Sequence, residues 1–159
     1  PAADCPPAIP DCQPKAMSAK GISNLARENH PEALREVVRA NPQLPKAGMR
    51  LHFGYNLARL EPDSLPLLQQ LAQALRGDAQ QARVVLAGHT DALGSEAYNH
   101  DLAQRRADTV RATLAGLGVE LERLGAVSFG ETQPLVGSVT AQTDAERAQN
   151  RRGEIIRVE

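Results

Sequence analysis

Residues 83–117 of the chain read RVVLAGHTDALGSEAYNHDLAQRRADTVRATLAGL. The opening RVVLA is a short apolar run, which is typical of a buried strand. The polar segment GHTDALGS that follows predicts a loop. From Glu96 to about Gly116 apolar side chains recur at helical spacing, which indicates an amphipathic helix. This stretch therefore predicts a buried strand, a loop and a helix that packs on a sheet.

The flanking sequence continues the alternation of strands and helices. Met49, Leu51 and Phe53 alternate with polar residues and predict a first strand, and Pro62 opens a helix that ends before Gly77. Residues 124–129 predict a third strand, 131–146 a long polar loop, and 153–159 a closing strand. The order β-α-β-α-β-β predicts an α/β (α+β) fold: a mixed sheet, partly parallel with an antiparallel end, with helices packed on it.

Residues 1–48 predict a separate front segment. Proline is frequent in residues 1–15, which we expect to be extended, and two short helices follow, at 16–29 and from Pro31. We therefore predict a Pro-rich tail with a small helical appendage at 1–48 and the main domain at 49–159. Cys5 and Cys12 favour a disulfide if the compartment is oxidising, with two free thiols as the alternative.

Composition excludes several classes of function. Lys and Arg number 18 against 19 Asp and Glu, so the chain has no basic surplus for a nucleic-acid partner. Aromatic residues make up only 3%, which argues against stacking platforms for bases or sugars. No apolar run is long enough to span a membrane.

The long helix carries an arginine where an apolar side chain is expected. Advancing about 100° per residue from Leu102 places the apolar stripe at about 60–140°, with Arg106 at about 40° and Asn99 at about 60°. The neighbouring Arg105 falls on the solvated face. A guanidinium beside an apolar stripe stays charged and needs an anion. That anion is either the carboxylate of a ligand or a carboxylate of the protein, and Asp91 is the nearest protein candidate in sequence. A third possibility is that the long side chain of Arg106 extends to water.

Several motifs in the right order resemble OmpA-like C-terminal domains, the peptidoglycan-binding modules of envelope proteins. The resemblance covers about residues 49–159 and leaves residues 1–48 outside. Its motifs are Phe53-Gly54-Tyr55-Asn56, Gly88-His89-Thr90-Asp91, Tyr98-Asn99, Leu102 with Arg105-Arg106-Ala107, Phe129-Gly130-Glu131-Thr132-Gln133-Pro134 and Asn150-Arg151-Arg152. One departure is Gly153, where many members carry an apolar β-branched residue.

The resemblance implies a ligand, the diaminopimelate residue of the peptidoglycan stem peptide, whose free end is a zwitterion. It implies that Asp91 takes the ammonium and that Arg106 takes the carboxylate in a charge-assisted bond. Asn99 would add neutral hydrogen bonds, and Thr90 would shape the loop or donate from its backbone. The resemblance also implies ligand contacts from Asn56 and Arg151. The alternative for Asn56 is a turn residue, and the alternative for Arg151 is a partner in a surface ion pair.

The leading hypothesis is a non-catalytic module that binds peptidoglycan and anchors an envelope protein to the cell wall. It implies no cofactor, no metal and no nucleic acid, and a place in the periplasm at the outer membrane or cell wall of a didermic bacterium. The histidines are too scattered for a metal hydrolase, so His89 is expected to pack the loop. The alternative is a periplasmic protein–protein module, with another envelope protein binding through residues 1–48.

Overall fold

The computed structural model describes residues 30–49, 51, 53–54, 57–130, 132–133, 135–138 and 141–158. Its helices are α1 (Pro31–Ala40), α2 (Leu65–Arg76), α3 (Glu96–Gly116) and α4 (Asp144–Asn150). Its strands are β1 (Lys46–Met49), β2 (Val84–His89), β3 (Leu124–Gly130) and β4 (Arg152–Arg157). Short 3-10 turns at Pro62–Ser64 and Leu121–Arg123 precede α2 and β3.

The strands form one mixed sheet in the order β1-β4-β2-β3. β2 and β3 are parallel, whereas β4 is antiparallel to both β1 and β2. Parallel neighbours need a crossover connection, and α3 is that connection here. The predicted mixed sheet with an antiparallel end is confirmed.

Helices cover both faces of the sheet. α2 and α3 cover one face, where they pack on alternate strand residues such as Val84, Leu86 and Leu124. α3 lies directly on β2, since a Cβ at Gly88 would stand 2.6 Å from the carbonyl oxygen of Ala103. α1 covers the opposite face, so the core has two layers of side chains separated by the sheet.

The front of the domain differs from the prediction. α1 forms as expected, with Leu34, Val37 and Val38 buried, but it packs against the sheet instead of forming an appendage beside it. The first strand is Lys46–Met49 and not the alternating Met49–Phe53, because Met49 already pairs with Gly153 beside the start of β4. Little of the partner strand remains for residues beyond Met49.

The polar segment after β3 also holds a helix that the loop prediction missed. Thr143 caps α4: its side chain accepts a hydrogen bond from the Glu146 amide, and the Glu146 side chain accepts one from the Thr143 amide. This Thr-x-x-Glu pattern was readable in the sequence. The predicted helix at 16–29, Cys5 and Cys12 lie outside the described residues. None of the helices described here has the length and apolarity that crossing a bilayer requires.

Candidate ligand-binding site

A cleft of about 1520 Å³ opens between α3 and the part of the sheet formed by β1, β4 and β2. It brings together the predicted site residues that the structure describes: Thr90, Asp91, Asn99, Arg106 and Arg151. Asn56, the remaining predicted site residue, lies outside the described residues. Residues from the loop after β2, from α3 and from the junction of α4 and β4 thus meet at one opening.

Asp91 supplies a buried carboxylate just after β2 ends. The residue is 8% exposed. Its Oδ1 accepts a hydrogen bond from the Leu93 amide at 2.9 Å, and its Oδ2 accepts one from the Arg151 guanidinium at 2.6 Å. Both carboxylate oxygens of this buried side chain therefore have a donor. The Asp91 carboxylate is held in one orientation on the cleft wall.

The loop after Asp91 is held by Asn99 from the first turn of α3. The Asn99 Nδ2 donates to the carbonyl oxygens of Leu93 at 2.7 Å and Asp91 at 3.4 Å. Gly94 makes the turn between Leu93 and the start of α3. Its φ of 84° is a conformation that favours glycine. Ser95 caps α3 by accepting a hydrogen bond from the Tyr98 amide. The Asn99 Nδ2 thus shapes the loop that presents Asp91.

Arg106 is half-buried and lines the same cleft. Its Nε donates to the carbonyl oxygen of Leu57 at 3.0 Å, and its guanidinium lies 5.0 Å from the centre of the Phe53 ring. Burial lowers the pKa of Arg106, and the neighbouring Tyr98 opposes this. Among the described residues, no carboxylate lies within salt-bridge distance of this guanidinium.

The structural Asp91–Arg106 pair that was one sequence-based alternative is not formed. Asp91 pairs with Arg151 instead, which is 60 residues away along the chain. The predicted contrast between the adjacent arginines is confirmed, because Arg105 is exposed and pairs with Asp101 at 2.9 Å on the solvated face. Arg106 therefore carries a positive charge into the cleft without a described anion.

Thr90 has an unsatisfied hydroxyl group in this cleft. Its backbone amide donates to the Gly130 carbonyl oxygen at 2.8 Å. The amide is therefore already used within the protein, whereas donation to the ligand was one of the two roles expected for Thr90. Its Oγ1 is buried and has no hydrogen-bond partner among the described residues. Leaving a buried hydroxyl unpaired costs free energy, so this oxygen is a candidate ligand contact.

Asn150, the last residue of α4, organises the wall beside Arg151. It is fully buried, its Oδ1 accepts hydrogen bonds from the amides of Leu135 and Val136, and its Nδ2 donates to the Val136 carbonyl oxygen. The Asn150-Arg151-Arg152 motif includes this residue, but the sequence alone predicts no role for it. A polar residue at the end of a helix gives no local signal that it ties down a loop 14 residues away.

His89 packs at the back of the cleft. Its side chain is 1% exposed, stacks on Phe129 with ring centres 5.3 Å apart, and places Nε2 2.5 Å from Oε1 of Glu154. Burial lowers the pKa of His89, and the contact with Glu154 opposes this. The same contact holds the pKa of Glu154 below its usual value. Within the described part of the chain, no group of His, Cys, Asp and Glu side chains could hold a metal ion.

Gly153 forms part of the cleft lining on β4. A Cβ there would meet the nearest atom, Cε of Met49, at 3.5 Å, which is an ordinary van der Waals contact. No close backbone approach therefore requires glycine at this position.

Comparison with known proteins places this geometry in a family. Residues 52–151 match the model of the OmpA family. The chain is 38% identical over 104 residues to a peptidoglycan-associated lipoprotein of Pseudomonas aeruginosa, which covers 65% of this chain and 59% of the relative. It is 36% identical over 112 residues to outer membrane porin F of Pseudomonas fluorescens, covering 70% of this chain and 33% of that protein. The chain thus spans between a third and three fifths of these curated relatives.

Solved structures show the same fold. The crystal structure of the peptidoglycan-associated lipoprotein from Burkholderia pseudomallei superposes with a TM-score of 0.59 at 34% identity, covering 67% of this chain and 87% of that one. The C-terminal domain of Helicobacter pylori MotB superposes with a TM-score of 0.61 at 20% identity, covering 71% and 84% of the two chains, and supports the fold alone. The family match and the fold agree, and the chain belongs to the OmpA family.

Proposed function

We propose that this domain binds peptidoglycan without catalysis, through the diaminopimelate residue of the stem peptide, and so anchors an envelope protein to the cell wall. Two relatives are named peptidoglycan-associated lipoproteins, of Pseudomonas aeruginosa and Legionella pneumophila. The named relatives are outer-membrane or peptidoglycan-associated proteins of Gram-negative bacteria, so the proposed place of action is the periplasm.

The observation that carries the proposal is the separation of charges in the cleft. Asp91 is a buried anion that is held in place, and Arg106 is a half-buried cation without a described carboxylate partner. The free end of diaminopimelate offers an ammonium and a carboxylate on one carbon atom. Its ammonium suits Asp91 and its carboxylate suits Arg106, which forms two parallel hydrogen bonds to such a group.

Arg151 already contacts the carboxylate that we assign to the ligand's ammonium. It occupies Oδ2 of Asp91, and its side chain is 51% exposed. An incoming ammonium therefore shares or takes the place of Arg151 at Asp91. A displaced Arg151 remains within the cleft, where it would add a second guanidinium to the ligand carboxylate.

The test is a pull-down on purified peptidoglycan sacculi with three single variants. We expect Asp91→Ala and Arg106→Ala to weaken binding at least about thirtyfold, because truncating one partner of a buried charge pair costs about 2–5 kcal/mol. Arg105→Ala is the matched control: it removes the adjacent arginine, which pairs with Asp101 on the solvated face. It should bind like the parent.

Two results would contradict the proposal. Equal binding by the parent, Asp91→Ala and Arg106→Ala would show that the assigned residues do not hold the ligand. Release of soluble muropeptides from the sacculi would show that the protein is an enzyme that cleaves the wall.

A further inference from the structure

Two groups of one turn hold the Arg106 side chain in the cleft. Phe53 and Leu60 form an isolated antiparallel bridge, which closes the turn at 53–60. From this turn, the Leu57 carbonyl oxygen accepts a hydrogen bond from Nε of Arg106 at 3.0 Å. The centre of the Phe53 ring lies 5.0 Å from the guanidinium carbon. One short segment thus contacts the arginine at its Nε edge and at its flat face.

The Phe53 ring stabilises the charge of Arg106 without using any of its N–H groups. The face of an aromatic ring attracts a cation within about 6 Å of its centre, and more strongly where water is partly excluded. Burial lowers the pKa of Arg106, because the charged form loses hydration. A carboxylate in place of the ring would also stabilise the guanidinium, but it would occupy the donors that a ligand needs. An aromatic partner leaves these donors to other groups.

The bond to Leu57 decides which edge of the guanidinium can bind a carboxylate. The guanidinium carries five N–H groups in a planar fork, on Nε, Nη1 and Nη2. A carboxylate can bind side-on, through Nε and one terminal nitrogen, or end-on, through both terminal nitrogens. Nε is already bonded to the Leu57 oxygen. Across the residues for which the structure gives positions, no hydrogen bond uses Nη1 or Nη2 of Arg106.

We propose that the cleft takes the ligand carboxylate end-on, through Nη1 and Nη2 of Arg106, and that Phe53 is a positioning residue that acts through this guanidinium. This inference rests on the proposed function, because it takes Arg106 to bind the carboxylate of diaminopimelate. With Nε held by Leu57 and the flat face held at Phe53, the terminal nitrogens are set in place before the ligand arrives. Such preorganisation lowers the entropy lost on binding.

The first measurement compares two stem tetrapeptides by calorimetry. One carries meso-diaminopimelate. In the other lysine replaces it, so that the free end keeps its ammonium and lacks its carboxylate. The test variant is Phe53→Leu, which keeps an apolar side chain and removes the aromatic face. The matched control is Phe53→Tyr, which restores the face and can expose its hydroxyl, because Phe53 is only partly buried. Thermal unfolding of each variant checks that the fold is retained.

We expect Phe53→Leu to bind the diaminopimelate peptide about three- to tenfold more weakly than the parent, which is the size of effect of a partly desolvated cation–π contact. Its affinity for the lysine peptide should stay within about twofold of the parent, since that peptide offers Arg106 no free-end carboxylate. Phe53→Tyr should bind both peptides like the parent.

The second measurement follows the Nε–H resonance of Arg106 by NMR while the diaminopimelate peptide is added. Arg106→Lys lacks this group, and the signal missing from its spectrum identifies the resonance. We expect the Nε–H resonance to shift little and to stay protected from solvent, because Nε keeps its bond to the Leu57 oxygen. A large shift of this resonance on binding would indicate side-on binding and would overturn the end-on geometry.

Other outcomes separate this inference from the function on which it rests. Unchanged affinity of Phe53→Leu for the diaminopimelate peptide would overturn the role of Phe53 and leave the roles of Asp91 and Arg106 intact. An equal loss for both peptides would also overturn it, because Phe53 would then shape the cleft without acting through Arg106. If the parent does not bind the diaminopimelate peptide, the proposed function fails and the inference fails with it.

Discussion

At the scale of single residues, the site depends on buried side chains that hold the backbone of the loops around it. Asp91 and Arg106 were identified from periodicity and motif, and the structure places both in one cleft. Asn150 touches no predicted ligand group, yet it ties the Leu135–Val136 backbone to the end of α4, one residue before Arg151. A buried amide that satisfies three backbone groups is costly to remove, because each orphaned group then lacks both water and protein partners.

The prediction at this scale concerns Asn150→Ala. Each buried polar group left unpaired costs about 1–3 kcal/mol, so we expect the free energy of unfolding to fall by at least about 2 kcal/mol. Urea unfolding followed by circular dichroism measures the change. The neighbouring, exposed Gln149→Ala is the control and should stay within about 0.5 kcal/mol of the parent. Equal stability of the two variants would show that Asn150 is not a structural anchor.

At the scale of elements, α1 covers the face of the sheet that α2 and α3 leave open. The apolar side chains of α1 fill the face opposite α2 and α3, packing on strand residues that include Val127, Phe129 and Ile156. The family match begins at residue 52, so α1 lies before the matched region. The apolar face of α1 is buried within this chain. A partner protein that binds residues 30–48 would therefore contact the exposed side chains of this segment and not its apolar face.

The prediction at this scale is that Leu34→Ala destabilises the whole domain. Leu34 is 2% exposed, and truncating a buried leucine costs about 2–5 kcal/mol through lost burial and the cavity left behind. Thermal unfolding should show one cooperative transition at a lower temperature. Arg39→Ala, which changes the solvent-facing side of the same helix, should leave the midpoint nearly unchanged. An unshifted midpoint in Leu34→Ala would mean that α1 is an independent appendage after all.

At the scale of the whole molecule, a buried ionic cluster links β2 and β4 behind the cleft. His89 and Arg152 both contact Glu154, at 2.5 Å and 3.3 Å. The charged groups that face His89 are Glu154, Arg152 and Lys46. His89 precedes Thr90 and Asp91, while Arg152 follows Arg151. The cluster therefore joins the two strands next to which the site residues lie.

The stability of the fold should fall on acidification. Burial lowers the pKa of His89 from 6.5, so below pH 6.5 the unfolded chain binds a proton more readily than the folded one, and acid favours unfolding. The pKa of Glu154 is also lowered, from 4.5, so its stabilising contribution is present above pH 4.5 and is lost as the pH falls further. Both effects have the same sign.

The measurement is the free energy of unfolding from urea titrations between pH 8 and 4. We expect a plateau above about pH 7 and a decline below about pH 6.5, with a slope of at most about 1.4 kcal/mol per pH unit for each proton taken up. His89→Gln should flatten the decline between pH 6.5 and 5. A decline of the same slope in His89→Gln would assign the pH dependence to other groups.

The elements themselves follow from local patterns along the chain. Of the stripe predicted for α3, Ala103, Ala107, Val110 and Leu114 are buried, and Arg106 and Asn99 line the cleft. Leu117, the last predicted member, follows the end of α3 and is partly buried against the same core. The mixed sheet was predictable because alternating strands and helices leave few topologies. The first strand was misplaced, because pairing with β4 and not alternation alone decides where a strand forms.

The sequence by itself determined which residues carry charge on the inner side of α3, since helical periodicity is a property of adjacent residues. Only the tertiary structure decided what each charge meets. Asp91 pairs with Arg151 across 60 residues, and Arg106 bonds to the Leu57 carbonyl oxygen. The Thr90 hydroxyl finds no partner in the part of the chain that the structure describes. These outcomes depend on how strands and loops distant in sequence pack together, and no local pattern encodes a contact between two segments that only the folded sheet brings side by side.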